Sequence, residues 1–131
     1  MQNKNPIFVI QEHKATRLHW DFRLEMEGVL KSWAVPKQPP KSKGTKRLAI
    51  QVADHDLDYA NFEGKIEQGY GKGTVKIWDK GTYKLEDKKE KKIVFNLHGK
   101  KLKGKYILLK TNYGKDKKQK EKNWLLFKTN K

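Results

Sequence analysis

Apolar and polar residues alternate along most of the chain, a pattern typical of β-strands, in which successive side chains point to opposite faces. The clearest stretch is Leu18–Glu25, with apolar side chains at its even positions and polar ones at its odd positions. On a helix the same apolar residues would scatter to opposite sides, so a strand is the better interpretation. The same signal predicts strands at Ile7–Ile10, Val29–Val35, Arg47–Ala53, Thr74–Trp78, Thr82–Leu85, Ile93–Leu97, Tyr106–Lys110 and Trp124–Lys128.

Turn-forming residues separate these predicted strands. Glu27-Gly28 predicts a tight turn that pairs the strands on either side of it. Thr74–Trp78 and Thr82–Leu85 are predicted to form a second hairpin, and Glu86–Lys92 a charged hairpin tip beyond it. Two irregular segments are also predicted, a proline-rich basic loop and a lysine-rich mobile loop: Pro36–Lys46 and Tyr113–Asn123.

About eight short strands joined by turns predict a mainly β fold, either an antiparallel barrel or a compact sandwich. The chain has 131 residues and no internal repeat, and is expected to form one domain over residues 1–131. In the strand Arg47–Ala53, the apolar positions Leu48, Ile50 and Val52 are expected to face the core. The tryptophans fall within apolar alternations and are expected in the core: Trp20, Trp33, Trp78 and Trp124.

The charge balance adds an expected partner. Lys and Arg number 31 against 15 Asp and Glu, a formal net charge of +16. Such a field attracts polyanions, because each neutralised phosphate releases condensed counterions, and it favours nucleic acid as the partner. A merely solvated lysine-rich surface is the alternative. An anionic membrane is disfavoured because no amphipathic basic helix is evident.

Composition also indicates the compartment. The absence of cysteine removes disulfides, thiolate metal sites and a cysteine nucleophile, and suits a reducing cytosol. The first six residues lack the apolar core of a signal peptide, and no apolar run approaches the roughly 18 residues of a membrane span. We therefore expect a cytoplasmic protein with no membrane partner.

The polar face of Leu18–Glu25 carries the first candidate chemistry. Side chains at alternate strand positions lie about 7 Å apart, so His19, Asp21 and Arg23 form a row of imidazole, carboxylate and guanidinium. The imidazole and the carboxylate can share a divalent ion, and a guanidinium can hold a phosphate by two parallel hydrogen bonds. On its own, however, a His-x-Asp pair is a weak motif that an ordinary solvated strand explains better.

Other histidines strengthen the case. His13 ends the preceding strand and would supply a third ligand in a nitrogen and oxygen set that suits Mn²⁺, Fe²⁺, Co²⁺ or Zn²⁺. His55 lies in an acidic loop and is interpreted either as a phosphate contact or as a general acid, with Tyr59 donating to phosphate. By contrast, His98 is expected to be a surface turn residue, and Gly69–Gly73 lacks the spacing of a phosphate-binding P-loop.

Blocks covering nearly the whole chain carry a resemblance to a known family: Phe8–His13, Leu18–Glu25, Gly28–Lys37, Lys46–Val52, Asp54–Tyr59, Phe62–Gly64, Gly73–Gly81 and Asn123–Lys128. In these blocks the chain resembles the 3′-phosphoesterase domain of bacterial DNA ligase D and its stand-alone relatives. The resemblance implies a single-domain antiparallel β-barrel with an active-site channel that carries Mn²⁺ and phosphate. It also implies removal of a terminal ribonucleoside from a 3′ end, and then of the 3′-phosphate, to leave a 3′-OH.

The resemblance assigns roles residue by residue. His13, His19 and Asp21 would be ligands of Mn²⁺, or of another divalent transition metal such as Co²⁺ or Zn²⁺. Phosphate binding and catalysis would be the roles of Arg23, His55 and Tyr59. Lys37 and Arg47 would be supporting cations. The expected partners are DNA or RNA-tipped DNA 3′ ends, with a ligase or polymerase acting in trans, and the protein is expected to be a monomer.

Two rival functions stay open. A basic nucleic-acid-binding module without turnover would keep the fold and the charge. A non-haem iron oxygenase is suggested because His19, Asp21 and a distal His55 mimic a facial triad of ligands. The small size, the high positive charge and Arg23 beside the metal row count against the oxygenase.

Overall fold

The computed structural model describes residues 5–69 and 72–129 of the chain. The described part contains nine strands, one α-helix and the 3₁₀ helix Leu57–Asn61. In chain order the strands and the helix are β1 (Ile7–Lys14), β2 (Leu18–Met26), β3 (Val29–Val35), β4 (Lys46–His55), β5 (Gly64–Ile66), β6 (Gly73–Lys89), β7 (Lys92–His98), β8 (Lys103–Lys110), α1 (Lys117–Lys122) and β9 (Asn123–Lys128).

Eight of the strands close into an antiparallel barrel. Their order is β1-β2-β3-β4-β9-β8-β7-β6, and pairing of β1 with β6 completes the circle. The short strand β5 pairs with the beginning of β6 and lies outside the barrel. Closure leaves the eight strands without a free edge. The predicted mainly β, antiparallel barrel is therefore confirmed.

Large side chains fill the barrel interior. Phe22 packs between Phe8 and Phe95 at centroid distances of 6.4 and 5.8 Å, and the rings of Trp33 and Trp124 meet edge to face at 5.8 Å. Burying one such side chain contributes about 1.5–3 kcal/mol. Three tryptophans are buried, and Trp78 is partly buried against the same cluster, which confirms their predicted place in the core.

The predicted hairpin within residues 74–85 is wrong, because β6 is one strand of 17 residues. Gly81, which lies between the two predicted strands, pairs with Phe8 inside the ladder. A Cβ at this position would lie 2.2 Å from the carbonyl oxygen of His98. Glycine is therefore needed for a close approach of two backbones rather than for a turn.

The predicted inward face of β4 is also wrong. Ala49 is fully buried, whereas Leu48 and Val52 are 41% and 39% exposed and Ile50 is half-buried. The interior at this level is occupied by tryptophans of the neighbouring strands, because Ala49 pairs with Trp124 and Gln51 with Trp33. Small or polar side chains of β4 fit beside these rings, so its large apolar residues face outward.

Several predicted boundaries shift. The charged hairpin tip narrows to Glu90-Lys91, since Lys89 pairs with Lys92. The lysine-rich segment predicted as a loop contains α1, which begins where Asp116 accepts a hydrogen bond from the Gln119 N–H. His98 is exposed at the end of β7, close to the predicted turn. In the glycine loop, residues 70 and 71 lie outside the described residues.

In the described part of the chain, no helix is long and apolar enough to cross a membrane.

Candidate metal and phosphate site

The candidate site lies on the outer face of the barrel wall. Because Trp20, Phe22 and Leu24 enter the core, the odd-numbered residues of β2 point the other way. Antiparallel pairing with β1 sets His13 opposite His19, Gln11 opposite Asp21 and Val9 opposite Arg23. The 3₁₀ helix covers part of this face, since its Ala60 packs with Val9 and Leu30. Asp21 and Arg23 are therefore buried, and His19 is half-buried.

His13, His19 and Asp21 come together as predicted, with ligand atoms that all lie within 4.8 Å of one another. The Asp21 carboxylate is 3.3 Å from Nε2 of His19 and 3.6 Å from Nδ1 of His13. Two imidazole nitrogens and a carboxylate form an open donor set typical of Mn²⁺, Fe²⁺, Co²⁺ or Zn²⁺. These residues fit a divalent transition metal.

A backbone contact fixes the tautomer of His19. Its Nδ1 lies 3.1 Å from the carbonyl oxygen of Arg17, which can only accept, so Nδ1 carries the proton. Nε2 lies 3.3 Å from Asp21, and in the metal-free protein it donates to this carboxylate, which raises the pKa of His19; a metal ion would take the place of that proton. An outer hydrogen bond of this kind is what orients a metal-binding histidine. The turn before β2 therefore prepares His19 to act as a ligand.

Asp21 and Arg23 form a buried ion pair at the centre of the site. Asp21 Oδ2 lies 3.4 Å from Nη2 of Arg23, and the two residues are 7% and 3% exposed. Burial tends to raise the pKa of Asp21, but the hydrogen bond from His19 and the charge of Arg23 outweigh it and hold the pKa below its usual value. Burial lowers the pKa of Arg23, and the charge of Asp21 opposes that effect. The site thus keeps one carboxylate and one guanidinium in their charged forms.

Gln11 and Ser32 position Arg23, and sequence reasoning missed both. Arg23 donates from Nε to Oε1 of Gln11 at 2.6 Å and from Nη1 to the Ser32 hydroxyl at 2.8 Å. The amide of Gln11 donates in turn to the carbonyls of Tyr59 and Phe62 at 2.8 and 3.2 Å. Both residues are fully buried. The one local signal was the position of Gln11, two residues before His13 on the same strand face.

A β-bulge brings His55 to this face. Ser32 pairs with Val52 but Leu30 pairs with His55, so three steps along β4 match two along β3. The extra residue reverses the alternation, which would otherwise turn His55 towards the barrel interior. His55 Nδ1 lies 3.1 Å from Nη1 of Arg23 and 3.2 Å from the Ala53 carbonyl. The predicted proximity of His55 to the Arg23 row is thus present.

Burial, and secondly the charge of Arg23, lower the pKa of His55 below its ordinary value. The imidazole is therefore neutral near pH 7. Nδ1 of His55 faces both the Arg23 guanidinium, which can only donate, and the Ala53 carbonyl, which can only accept, so these two contacts do not fix its tautomer. His55 thus places a neutral imidazole beside a fixed positive charge.

Tyr59 completes the cluster from the 3₁₀ helix. Its ring lies 4.7 Å from that of His55, 4.9 Å from the Arg23 guanidinium carbon and stacked at 5.1 Å on Phe62. Burial raises the pKa of the phenol, which keeps its O–H as a donor. Arg23 and Tyr59 present N–H and O–H donors and one formal positive charge beside the His55 imidazole, an arrangement that suits the oxygens of an anion.

The other residues predicted to belong to the site contact different parts of the described chain. Lys37 is exposed in the loop after β3. Arg47 donates to the Gln38 carbonyl at 2.9 Å, which ties it to that same loop. Asp54, next to His55 in the chain, accepts from Lys31 at 3.1 Å. The predicted roles of Lys37 and Arg47 stay predictions.

Comparisons with known proteins agree on one family. A family model described as DNA Ligase D 3′-phosphoesterase domain matches residues 11–110. The chain is 49% identical over 127 residues to the multifunctional non-homologous end joining protein LigD of Pseudomonas aeruginosa, and 53% identical over 110 residues to that of Mycobacterium bovis. These matches cover 92% and 80% of the chain but only 15% and 14% of the relatives. The chain thus spans a small part of the length of the proteins it matches.

Proposed function

Because this chain belongs to the DNA ligase D 3′-phosphoesterase domain family, we propose that it is a metal-dependent phosphoesterase that processes 3′ ends during repair of broken DNA. It removes a terminal 3′-ribonucleoside and then the 3′-phosphate, leaving a 3′-OH. The observation that supports this proposal best is the shared face of His13, His19 and Asp21 with Arg23 and His55.

His13, His19 and Asp21 would hold a divalent metal, with Mn²⁺ first and Co²⁺ or Zn²⁺ as alternatives with the same donor preferences. When bound there, the ion supplies Lewis acidity at a phosphate oxygen and a lowered pKa for bound water. The ionised Asp21 and the Nδ1–H tautomer of His19 are already suited to hold such an ion.

Arg23 binds the phosphate in this proposal. Its guanidinium is held in place by Gln11 and Ser32 before any substrate arrives. A donor fixed in advance stabilises the charge that develops on phosphate without reorganising at the moment of reaction. The ion pair with Asp21 also keeps this guanidinium next to the metal ligands.

His55 acts first as a phosphate contact and then as a proton donor. Its lowered pKa means that the free protein offers a neutral imidazole rather than an imidazolium. A bound phosphate anion raises the pKa of a neighbouring histidine, so protonation accompanies binding and prepares His55 to protonate the leaving oxygen. Tyr59 donates its O–H to the same phosphate.

The nucleic-acid strand is held by the basic surface, including Lys37 and Arg47, through phosphate contacts. Its 3′-OH product is what a ligase or polymerase uses, so such an enzyme is the proposed partner in trans. We propose that the domain works as a monomer in the cytoplasm.

End-labelled primers that differ only at the 3′ terminus test the proposal. With Mn²⁺, the protein should convert 3′-ribonucleotide and 3′-phosphate termini to 3′-OH, whereas His19→Ala and His55→Ala should lose conversion. His98→Ala is the matched control, because His98 is exposed at the far end of β7. Binding of the primer without conversion under any divalent ion would select the nucleic-acid-binding module instead.

A further inference from the structure

The connection between β8 and β9, residues 111–122, folds into a compact unit on the barrel surface, which we call the lysine platform. Its two ends are joined, because the N–H and the hydroxyl of Thr111 both donate to the Asn123 carbonyl, at 2.9 and 3.1 Å. The Tyr113 N–H donates to the Thr111 hydroxyl at 3.2 Å, and the Asn123 amide donates to the Tyr113 carbonyl at 3.0 Å. The backbone of Tyr113 is therefore held on both sides.

The helix α1 completes the platform. Gly114 lies so close to it that a Cβ on this glycine would be 2.7 Å from the backbone nitrogen of Lys120. The helix lies beside β4 but buries none of its own residues. A helix without an apolar face adds little to a core, so packing of the barrel does not explain this element.

The platform presents an aromatic ring and cations to solvent. Tyr113 is 76% exposed, whereas the other exposed large apolar residues of the described chain lie between 37% and 43%. Five lysines accompany it, and none of them forms an ion pair in the described part of the chain: Lys115, Lys117, Lys118, Lys120 and Lys122. An accessible ring beside unpaired lysines is the combination that binds single-stranded nucleic acid, because bases stack on the ring and the lysines neutralise phosphates.

A row of paired residues on the outer face of the barrel joins the platform to the candidate site. Asp21 pairs with Ala34, Ala34 with Ile50, and Ile50 with Asn123. Three strand spacings place Asn123 about 14 Å from Asp21 along the sheet, a span that a few nucleotides cover. The surface between them is uncharged, since Ala34, Ile50 and the exposed Val52 form it. Such a floor suits sugars and bases.

We propose that the lysine platform binds a single-stranded tail whose 3′ terminus lies in the candidate site. One unpaired base stacks on Tyr113, the lysines of α1 contact the backbone, and the tail crosses Ile50 to reach Asp21. The inference rests on the proposed function for the fate of the terminus, and it adds the substrate class. That class is a single-stranded 3′ tail rather than a blunt duplex, because bases stacked inside a duplex have no face free for Tyr113.

Fluorescence anisotropy of a labelled oligothymidylate tests the proposal without metal, so the result does not depend on esterase activity. Tyr113→Ala should raise the dissociation constant about tenfold, the effect of losing one stacked base. Tyr113→Phe keeps the ring and should bind like the wild type. Leu85→Ala, which truncates an exposed apolar side chain on β6, is the control and should also bind like the wild type.

The lysines are tested by the salt dependence of the same binding. Joint replacement of Lys117, Lys118 and Lys120 by Gln should reduce the slope of log K against log salt by about 2 in magnitude, at about 0.7 per phosphate contact. The matched control carries the same loss of net charge on the far wall of the barrel: Lys84→Gln, Lys92→Gln and Lys103→Gln, all exposed. It should keep the wild-type slope.

A blunt duplex and a tailed primer complete the test. Tyr113→Ala should bind the blunt duplex like the wild type, and with Mn²⁺ it should lose conversion of the tailed 3′-phosphate primer more than of the blunt one. A wild type that binds tails through Tyr113 but converts no terminus would refute the esterase proposal and leave the platform standing. Wild-type affinity in Tyr113→Ala, an equal loss in Tyr113→Phe, or equal slopes in the two triple variants would each overturn the platform.

Discussion

Nη1 of Arg23 lies 3.1 Å from Nδ1 of His55, although the two residues are 32 positions apart in the chain. Two independent features create this contact. Antiparallel pairing of β2 with β3 brings Arg23 next to Ser32, and the bulge between β3 and β4 turns His55 towards the same face. The contact places a fixed cation beside a neutral imidazole. The pKa of His55 therefore reports on the charge of Arg23.

The pKa of His55 should therefore lie below its ordinary value of about 6.5 in the metal-free protein. Proton NMR titration of its ring measures this value. Inorganic phosphate should raise it, because the anion offsets the charge of Arg23. This shift also makes stability depend on pH. Because the pKa of His55 is lower in the folded state, His55 contributes stability above pH 6.5, and this contribution is lost as the pH falls through the folded-state pKa.

Arg23→Gln supplies the comparison. Removing the guanidinium charge should move the pKa of His55 upwards, while the burial that lowers it most remains. A wild-type pKa at or above 6.5, or one insensitive to phosphate, would contradict the proposed contact in solution.

The β2 row and the cluster of His13, His19 and Asp21 were predictable because local chemistry fixes them. Trp20, Phe22 and Leu24 determine which face is buried, and a shift of one residue would bury His19 and Asp21 in the barrel interior. His13 then follows from the short turn that joins β1 to β2. The barrel was likewise predictable from the number of alternating segments, although closure between β1 and β6 rests on pairings far apart in the chain.

The remaining features depend on tertiary context. The alternation in β4 does not show which of its two faces is buried. The rings of Trp33 and Trp124 determine which one is. Gly81 lies between the two segments predicted as a hairpin, and in a sequence a glycine needed for close backbone approach looks the same as one needed for a turn. Gln11 and Ser32 are single polar residues in apolar strands, so their function is visible only when their partners are located.

Substitution of any metal ligand should abolish the proposed ion binding. His13→Ala, His19→Ala and Asp21→Asn should each weaken Mn²⁺ binding by more than the roughly 10- to 100-fold typical of outer-shell changes. Isothermal titration calorimetry or the electron paramagnetic resonance signal of free Mn²⁺ measures the affinity. His98→Ala should bind like the wild type, and an unchanged affinity in His19→Ala would refute this ligand set.

Asp21→Asn should also destabilise the metal-free protein. It leaves the guanidinium of Arg23, 3% exposed, without its carboxylate partner. Loss of one partner of a buried ion pair costs about 3–5 kcal/mol, and the remaining bonds from Gln11 and Ser32 place this case at the lower end. Urea unfolding of both proteins, with metal removed, gives the difference; a change below about 1 kcal/mol would mean that water replaces the carboxylate.

Lys37 should act as a sequence-independent phosphate contact. It is exposed next to the β3–β4 loop, so Lys37→Gln should leave folding intact. Binding of single-stranded DNA should weaken evenly across sequences, and the slope of log K against log salt should fall by about 1 in magnitude. Fluorescence anisotropy at several salt concentrations measures this slope. Gln68→Ala, an exposed uncharged position, is the control, and an unchanged slope in Lys37→Gln would remove Lys37 from the interface.

Gln11 should be a positioning residue that links Arg23 to the 3₁₀ helix. In Gln11→Leu the Arg23 Nε and the Phe62 carbonyl lose their Gln11 partner, and the Tyr59 carbonyl keeps only the Phe62 N–H, so stability should fall by about 1–3 kcal/mol. Hydrogen exchange of residues 57–62 should accelerate more than that of β7. In the proposed esterase reaction, kcat should fall by a larger factor than KM rises, because the donors to the transition state are displaced.

Gln11→Glu separates the two halves of this link. Its carboxylate still accepts from Arg23, but it can no longer donate to the Tyr59 and Phe62 carbonyls. We expect Arg23, followed by its Nε–H resonance, to stay in place while the 3₁₀ helix loosens as in Gln11→Leu. If both variants exchange at the wild-type rate over residues 57–62, the helix is held by the packing of Ala60 against Val9 and Leu30, and Gln11 serves Arg23 alone.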